Sequence, residues 1–117
     1  MKLVADFLVG LIAVLHVWIL VLEMFLWTKP FGLKTFGQSR ETAEASKVLA
    51  ANQGLYNGFL AAGLAWGLIG GDGAVKLFFV ACVLVAGIYG GLTAKRSILY
   101  VQALPALLAL IALLASR

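Results

Sequence analysis

The sequence has few charged residues, one cysteine and one histidine. Charged residues make up 12% of its 117 residues, against about 25% in an ordinary soluble domain. The lone cysteine, Cys82, has no second cysteine to pair with, so an internal disulfide is excluded and the redox compartment is not indicated. This composition argues against both an ordinary soluble domain and a disulfide-stabilised one.

Several chemical signatures are also missing. The chain contains no CxxC, HExxH or GxSxG sequence and no phosphate-binding loop. One histidine and one interior glutamate are too few for a zinc site, which usually needs three or four ligands. We therefore predict no metal site, and the sequence names no catalytic residue or cofactor. The net charge of +4 does not indicate nucleic-acid binding, because the basic residues lie at predicted helix ends, where orientation signals belong.

Apolar residues, by contrast, are abundant at 63% of the chain. A helix that crosses a bilayer needs about 20 apolar residues, at about 1.5 Å per residue. Four stretches that are nearly free of charge meet this length, and a protein this small cannot hide all of them from water. The sequence thus predicts a polytopic membrane protein with the lipid bilayer as its surroundings. The stretches are 3–27, 48–69, 74–94 and 98–116.

Helix boundaries are marked by proline, glycine and capping residues. Pro30 disfavours helical geometry at the residue before it, so the first helix is expected to end near residue 28 and a loop to follow over 30–38. Ser39 is a plausible N-cap for the second helix, and Pro105 is expected to bend the fourth. We predict one all-α domain, 1–117, an antiparallel four-helix transmembrane bundle with short connections. Its helices are expected near 3–28, 40–70, 74–95 and 98–116.

The distribution of Lys and Arg predicts an orientation. The first and third loops carry six of these residues and the opposite side carries three. By the positive-inside rule, the first and third loops face the cytoplasm. The expected location is the bacterial inner membrane, with both termini outside the cytoplasm. The six are Lys29, Lys34, Arg40, Lys47, Lys95 and Arg96, and the three are Lys2, Lys76 and Arg117.

His16 and Glu23 interrupt the first apolar run. An ionisable group inside a membrane helix is costly and is by default a functional hypothesis. Glu23 lies about 6 Å from the cytoplasmic end of that helix, and His16 about 10 Å deeper, near the midplane. At about 100° per residue, both fall on one face together with Trp27.

The second helix carries a dense polar segment at a similar depth. Exposure to lipid would cost each of these groups several kcal/mol, so they are expected to turn inward and line a pocket that opens to the cytoplasm. Interhelical hydrogen bonding without a ligand is the alternative, as is a structural ion pair of Glu23 with Lys47 or Arg40. The predicted ligand-binding residues are His16, Glu23, Asn52, Gln53, Tyr56 and Asn57.

Two strings carry a family resemblance, LEMFLW at 22–27 and KVLAANQGLYNGFLAAGL at 47–64, together with the FG-x-K-x-FG loop at 31–37. The chain resembles a family of small bacterial integral membrane proteins of unknown function, about this length, with four predicted helices. The resemblance implies the architecture and carries over no catalytic residue.

Three functions stay open at this point. The first is binding or transport of a small molecule in the polar pocket. The second is a scaffold or partner subunit whose polar residues join helices. The third is a membrane enzyme that uses haem or a metal at His16. Each is compatible with a homo-oligomer.

Overall fold

The structure, a computed structural model, describes residues 1–117. All of the regular secondary structure is helical, which confirms the predicted all-α class. The helices are α1 (Lys2–Met24), α2 (Pro30–Phe36), α3 (Arg40–Gly70), α4 (Gly73–Thr93) and α5 (Leu104–Ala115), and a π-helical turn, Leu99–Ala103, leads into α5.

The largest departure from the predicted boundaries lies between α1 and α3. The first helix ends at Met24 rather than near residue 28, and a short helix replaces the expected loop. Pro30 explains both differences, because proline suits the first position of a helix and the residue before it must be extended. Lys29 has that extended geometry, with φ −84° and ψ 158°. Trp27 therefore lies outside α1, and its expected alignment with His16 and Glu23 on one helix face is wrong.

The N-cap predicted at Ser39 is confirmed. The Ser39 side-chain oxygen accepts a hydrogen bond from the Thr42 backbone N–H at 3.1 Å, which is an N-cap of α3. Asp72 caps α4 by accepting from the Ala74 and Val75 N–H groups. The turn between these two helices places Gly71 at φ 62°, a left-handed conformation that glycine adopts without steric cost.

The chain divides into two compact units, and the prediction of one domain over 1–117 stays a prediction. The first unit comprises Met1–Val14 and Leu60–Arg117. Its core is built from small and branched apolar side chains of every helix segment in the unit. The fully buried members are Ala5, Val9, Ile12, Leu64, Val80, Val83, Ala106 and Ala109.

The π-helical turn in the first unit follows from Pro105, which has no N–H to donate to the carbonyl four residues earlier. The bend expected at Pro105 thus takes the form of a wider turn just before it. The Gln102 side chain bonds across to the Val83 carbonyl at 3.3 Å. Gly87 permits this approach, since a Cβ there would lie 2.8 Å from the Ala103 backbone nitrogen.

The second unit is Leu15–Phe59. Within it, α3 packs on α1 through glycines: a Cβ at Gly54 would lie 2.7 Å from Met24 Cγ, and small residues at such positions let membrane helices approach closely. Trp27 fixes the connection, because its indole N–H donates to Ser46 Oγ at 3.2 Å and its ring lies 4.8 Å from that of Phe36.

Two helices, α1 and α4, are long and apolar enough to cross a membrane, and residues Leu99–Ala115 form a shorter apolar helix. This assignment rests only on the length and the apolar composition of the helices. A bundle of four membrane-spanning helices is therefore a proposal.

Candidate functional site

Glu23 and Asn57, two of the six predicted ligand-binding residues, meet in the second unit. Asn57 Nδ2 donates a hydrogen bond to Glu23 Oε1 at 2.7 Å and a second one to the Gln53 carbonyl at 3.1 Å. Both side chains are partly buried. The contact joins the end of α1 to the middle of α3, so an interior carboxylate is positioned by an amide donor 34 residues away.

The predicted alternative partners of Glu23 are engaged differently or are exposed. Lys47 Nζ pairs with Glu44 at 3.0 Å on the surface of α3. Arg40 lies exposed at the start of the same helix. The described contacts of Glu23 therefore include an amide rather than either cation.

The remaining polar residues of α3 do not turn inward within the chain. Asn52, Gln53 and Tyr56 are exposed, and the Asn52 amide bonds back to the Val48 carbonyl at 2.8 Å. The cause is the packing on α1. At about 100° per residue, Gly54 lies on the opposite side of the helix from Asn52, so seating the glycine against α1 turns Asn52 outward. The expected common cavity for His16, Glu23, Asn52 and Tyr56 is thus not formed by this face, and ligand binding by the six residues stays a prediction.

His16 is completely buried in α1, at 0% exposure. It lies two turns before Glu23, about 10 Å along the helix axis. No group of three or more His, Cys, Asp and Glu side chains is arranged to hold a metal ion. The enzyme hypothesis with haem or a metal at His16 stays a hypothesis.

A second polar centre, which the sequence did not predict, lies in the first unit. Lys76 Nζ donates to Asp6 Oδ1 at 2.9 Å, and the Lys76 side chain is only 6% exposed. In the sequence, Lys76 is used only as a charge that indicates the orientation of the helices. The available signal was that Asp6 and Lys76, opposite in charge, each lie within the first two turns of an apolar helix.

A cavity of about 240 Å³ adjoins this ion pair. Besides Asp6 and Lys76, its walls come from both ends of the chain and from the turn that begins α4. They comprise Lys2, Gly71, Gly73, Leu77, Leu113, Ser116 and Arg117.

The chain is similar to proteins whose function is unknown. The model of a family described as proteins of unknown function, DUF1304, matches residues 10–114. The uncharacterized protein YpaA of Lactococcus lactis subsp. lactis (strain IL1403) is 34% identical over 106 residues, which cover 86% of this chain and 88% of YpaA. No solved structure matches. Because the family model covers most of the sequence, the chain belongs to the DUF1304 family of proteins of unknown function.

Proposed function

We propose that this chain is an integral membrane protein that binds a small polar or cationic molecule at Glu23 and Asn57 and exchanges it for a proton. Four helices, α1, α3, α4 and α5 with its π-helical turn, cross the membrane in this proposal. The observation that carries the proposal is the partly buried Glu23 carboxylate, held by Asn57 at 2.7 Å.

The membrane location is supported by the outward-facing side chains as well as by helix length. Large apolar residues are exposed on each of the four helices, among them Leu3 at 84%, Ile69 at 89%, Val85 at 67% and Ile111 at 55%. A soluble monomer rarely exposes large apolar side chains on every one of its long helices, whereas lipid favours such exposure.

The orientation proposed is that both termini lie outside the cytoplasm, because Lys and Arg are concentrated in the first and third connections. We expect a periplasm-dependent reporter fused after Arg117 to be active and a cytoplasm-dependent reporter at the same position to be inactive. Fusions after Lys34 should give the reverse pattern. Equal activity of both reporters at Arg117 would contradict a single orientation.

The chemistry proposed for Glu23 uses its free hydrogen-bonding capacity. A carboxylate has about four acceptor positions, and Asn57 occupies one of them. Since Glu23 is only partly buried, the remaining positions are open to a ligand. The Glu23 carboxyl group either carries a proton or pairs with a cation. Binding of a cationic ligand therefore displaces the proton, which couples binding to proton release.

Replacing Glu23 by Gln is expected to weaken binding of a lipophilic cation at least about tenfold, equivalent to about 1.4 kcal/mol, and to abolish the accompanying proton release. The amide has nearly the same shape but carries no charge and cannot exchange a proton. Calorimetry with tetraphenylphosphonium and nanodisc-embedded protein, in two buffers of different ionisation enthalpy, measures both quantities.

Glu44→Gln is the matched control. It makes the same chemical change at an exposed carboxylate that pairs with Lys47, and it should leave affinity and proton release unchanged. Equal binding by the wild type and Glu23→Gln would refute the role of Glu23.

A partner subunit or scaffold is the second candidate, and the outward face of α3 favours it. Asn52 and Tyr56 lie exposed on this face, where lipid would leave the Asn52 side-chain oxygen and the Tyr56 hydroxyl unsatisfied. A carboxamide both donates and accepts, so the same face of a second copy is a suitable partner. In this case wild-type protein shows no saturable binding of the lipophilic cation.

A further inference from the structure

We propose that the cavity beside Asp6 and Lys76 binds a phosphate group, supplied by an anionic phospholipid. This site is separate from Glu23 and is not part of the function proposed above. The lipid as the source of the phosphate does, however, rest on the proposed membrane location.

The charges that line the cavity select an anion. Its ionisable side chains are three cations, Lys2, Lys76 and Arg117, and one carboxylate, Asp6. An arginine guanidinium matches two phosphate oxygens at once, and a lysine ammonium acts as a point charge. One carboxylate leaves this set with an excess of positive charge, which a phosphate offsets.

Lys76 is a buried and positioned donor in the cavity wall, so the cavity is more than a patch of surface charge. Its side chain is 6% exposed, and one of its three N–H donors goes to Asp6. An ammonium group held in this way cannot fold away into solvent as a surface lysine does. A bound phosphate oxygen would reach a donor whose conformation is already fixed, so little side-chain entropy is lost on binding.

Depth and size favour a lipid as the source. Asp6 is the fifth residue of α1 and Lys76 the fourth of α4, so they lie about 4.5–6 Å inside the helix ends, near the level of lipid headgroups. Leu77 and Leu113 supply an apolar wall. A volume of about 240 Å³ is far above the roughly 10–15 Å³ that a single water needs, so the site has room for more than a bare ion.

The test uses the full-length protein in a neutral detergent and measures the midpoint of thermal unfolding as lipid is titrated. Phosphatidylglycerol should raise the midpoint saturably, and zwitterionic phosphatidylcholine should raise it much less. Replacing Lys2 and Arg117 together by Gln should raise the phosphatidylglycerol concentration needed for half of the stabilisation at least tenfold. Both residues are exposed, so this variant should fold.

The matched control is Lys95→Gln combined with Arg96→Gln. It removes the same number of charges from exposed positions that do not line the cavity, and its lipid response should equal that of the wild type. If both double variants lose the response equally, the attraction is non-specific and the proposal is overturned.

Asp6→Asn gives a further arm. Without the carboxylate, Lys76 depends on an external anion, so phosphatidylglycerol should raise the unfolding midpoint of this variant more than that of the wild type. A smaller rise would overturn the proposal. If inorganic phosphate alone reproduces the stabilisation and displaces the lipid, the site binds phosphate but draws it from solution.

Glu23→Gln separates this proposal from the function proposed above. It should leave the phosphatidylglycerol response intact, because Glu23 does not line the cavity. Lost cation binding with an intact lipid response is the result that both proposals predict. Retained cation binding would contradict only the role of Glu23, and a lost lipid response would contradict only the lipid site.

Discussion

Replacing Asp6 by Leu is expected to lower the free energy of unfolding by about 3–5 kcal/mol, the usual cost of leaving one member of a buried ion pair without its partner. The Lys76 side chain, 6% exposed, would retain its charge without the carboxylate now 2.9 Å away. Lys76→Met should cost less, because Asp6 is 32% exposed and solvent can stabilise it. Reversible unfolding in mixed micelles, followed by circular dichroism, measures both values.

The double variant, Asp6→Leu with Lys76→Met, supplies the decisive comparison. Replacing a whole buried pair by apolar residues of similar size is often neutral or stabilising, so the double variant should regain most of the stability lost by Asp6→Leu. If the double variant loses as much free energy of unfolding as the two single variants together, the two residues do not act as a pair.

The second large effect is expected at Gly32. This residue is buried at the start of α2, and a Cβ there would overlap the backbone carbonyl group of Leu26. Because a backbone group cannot rotate away as a side chain can, Gly32→Ala must displace α2 from its position. We expect a loss of about 3 kcal/mol or more, at or above the upper end of the range for overpacking, together with a change in tryptophan fluorescence as Trp27 leaves Phe36.

Gly70→Ala is the matched control, since a Cβ at Gly70 meets nothing within 4 Å. Its stability should stay within about 1 kcal/mol of the wild type. If Gly32→Ala also unfolds at the wild-type midpoint with unchanged fluorescence, the close contact between α2 and Leu26 is not present in solution.

The helical class and most helix ends could be predicted because they depend on local signals. Ser39 and Asp72 act as caps within three residues of their own position, and a run of apolar residues predicts a helix wherever it lies. The segment from Phe25 to Phe36 was the exception. A proline requires extended geometry at the preceding residue whether it follows the end of one helix or begins the next. Pro30 alone therefore does not distinguish a loop from α2.

The candidate sites were only partly predictable, because they depend on which helix faces pair. Glu23 and Asn57 were both selected as costly interior polar groups, and the structure joins them. Asn52 points outward because Gly54, on the opposite side of α3, packs on α1. Helical periodicity shows which residues share a face but not which face packs against a neighbouring helix. The partnership of Asp6 and Lys76 depends on a contact across 70 residues, which no local pattern contains.

That separation of 70 residues has a consequence for biosynthesis. Ribosomes add about 5–20 residues per second, so Asp6 emerges several seconds before its cationic partner has been made. In the orientation proposed here, the start of α1 must pass through the bilayer, and a lone carboxylate makes that passage costly during this interval. The first helix should therefore reach its final depth only after the start of α4 has been translated. Insertion of α1 is then completed later than its position in the sequence suggests.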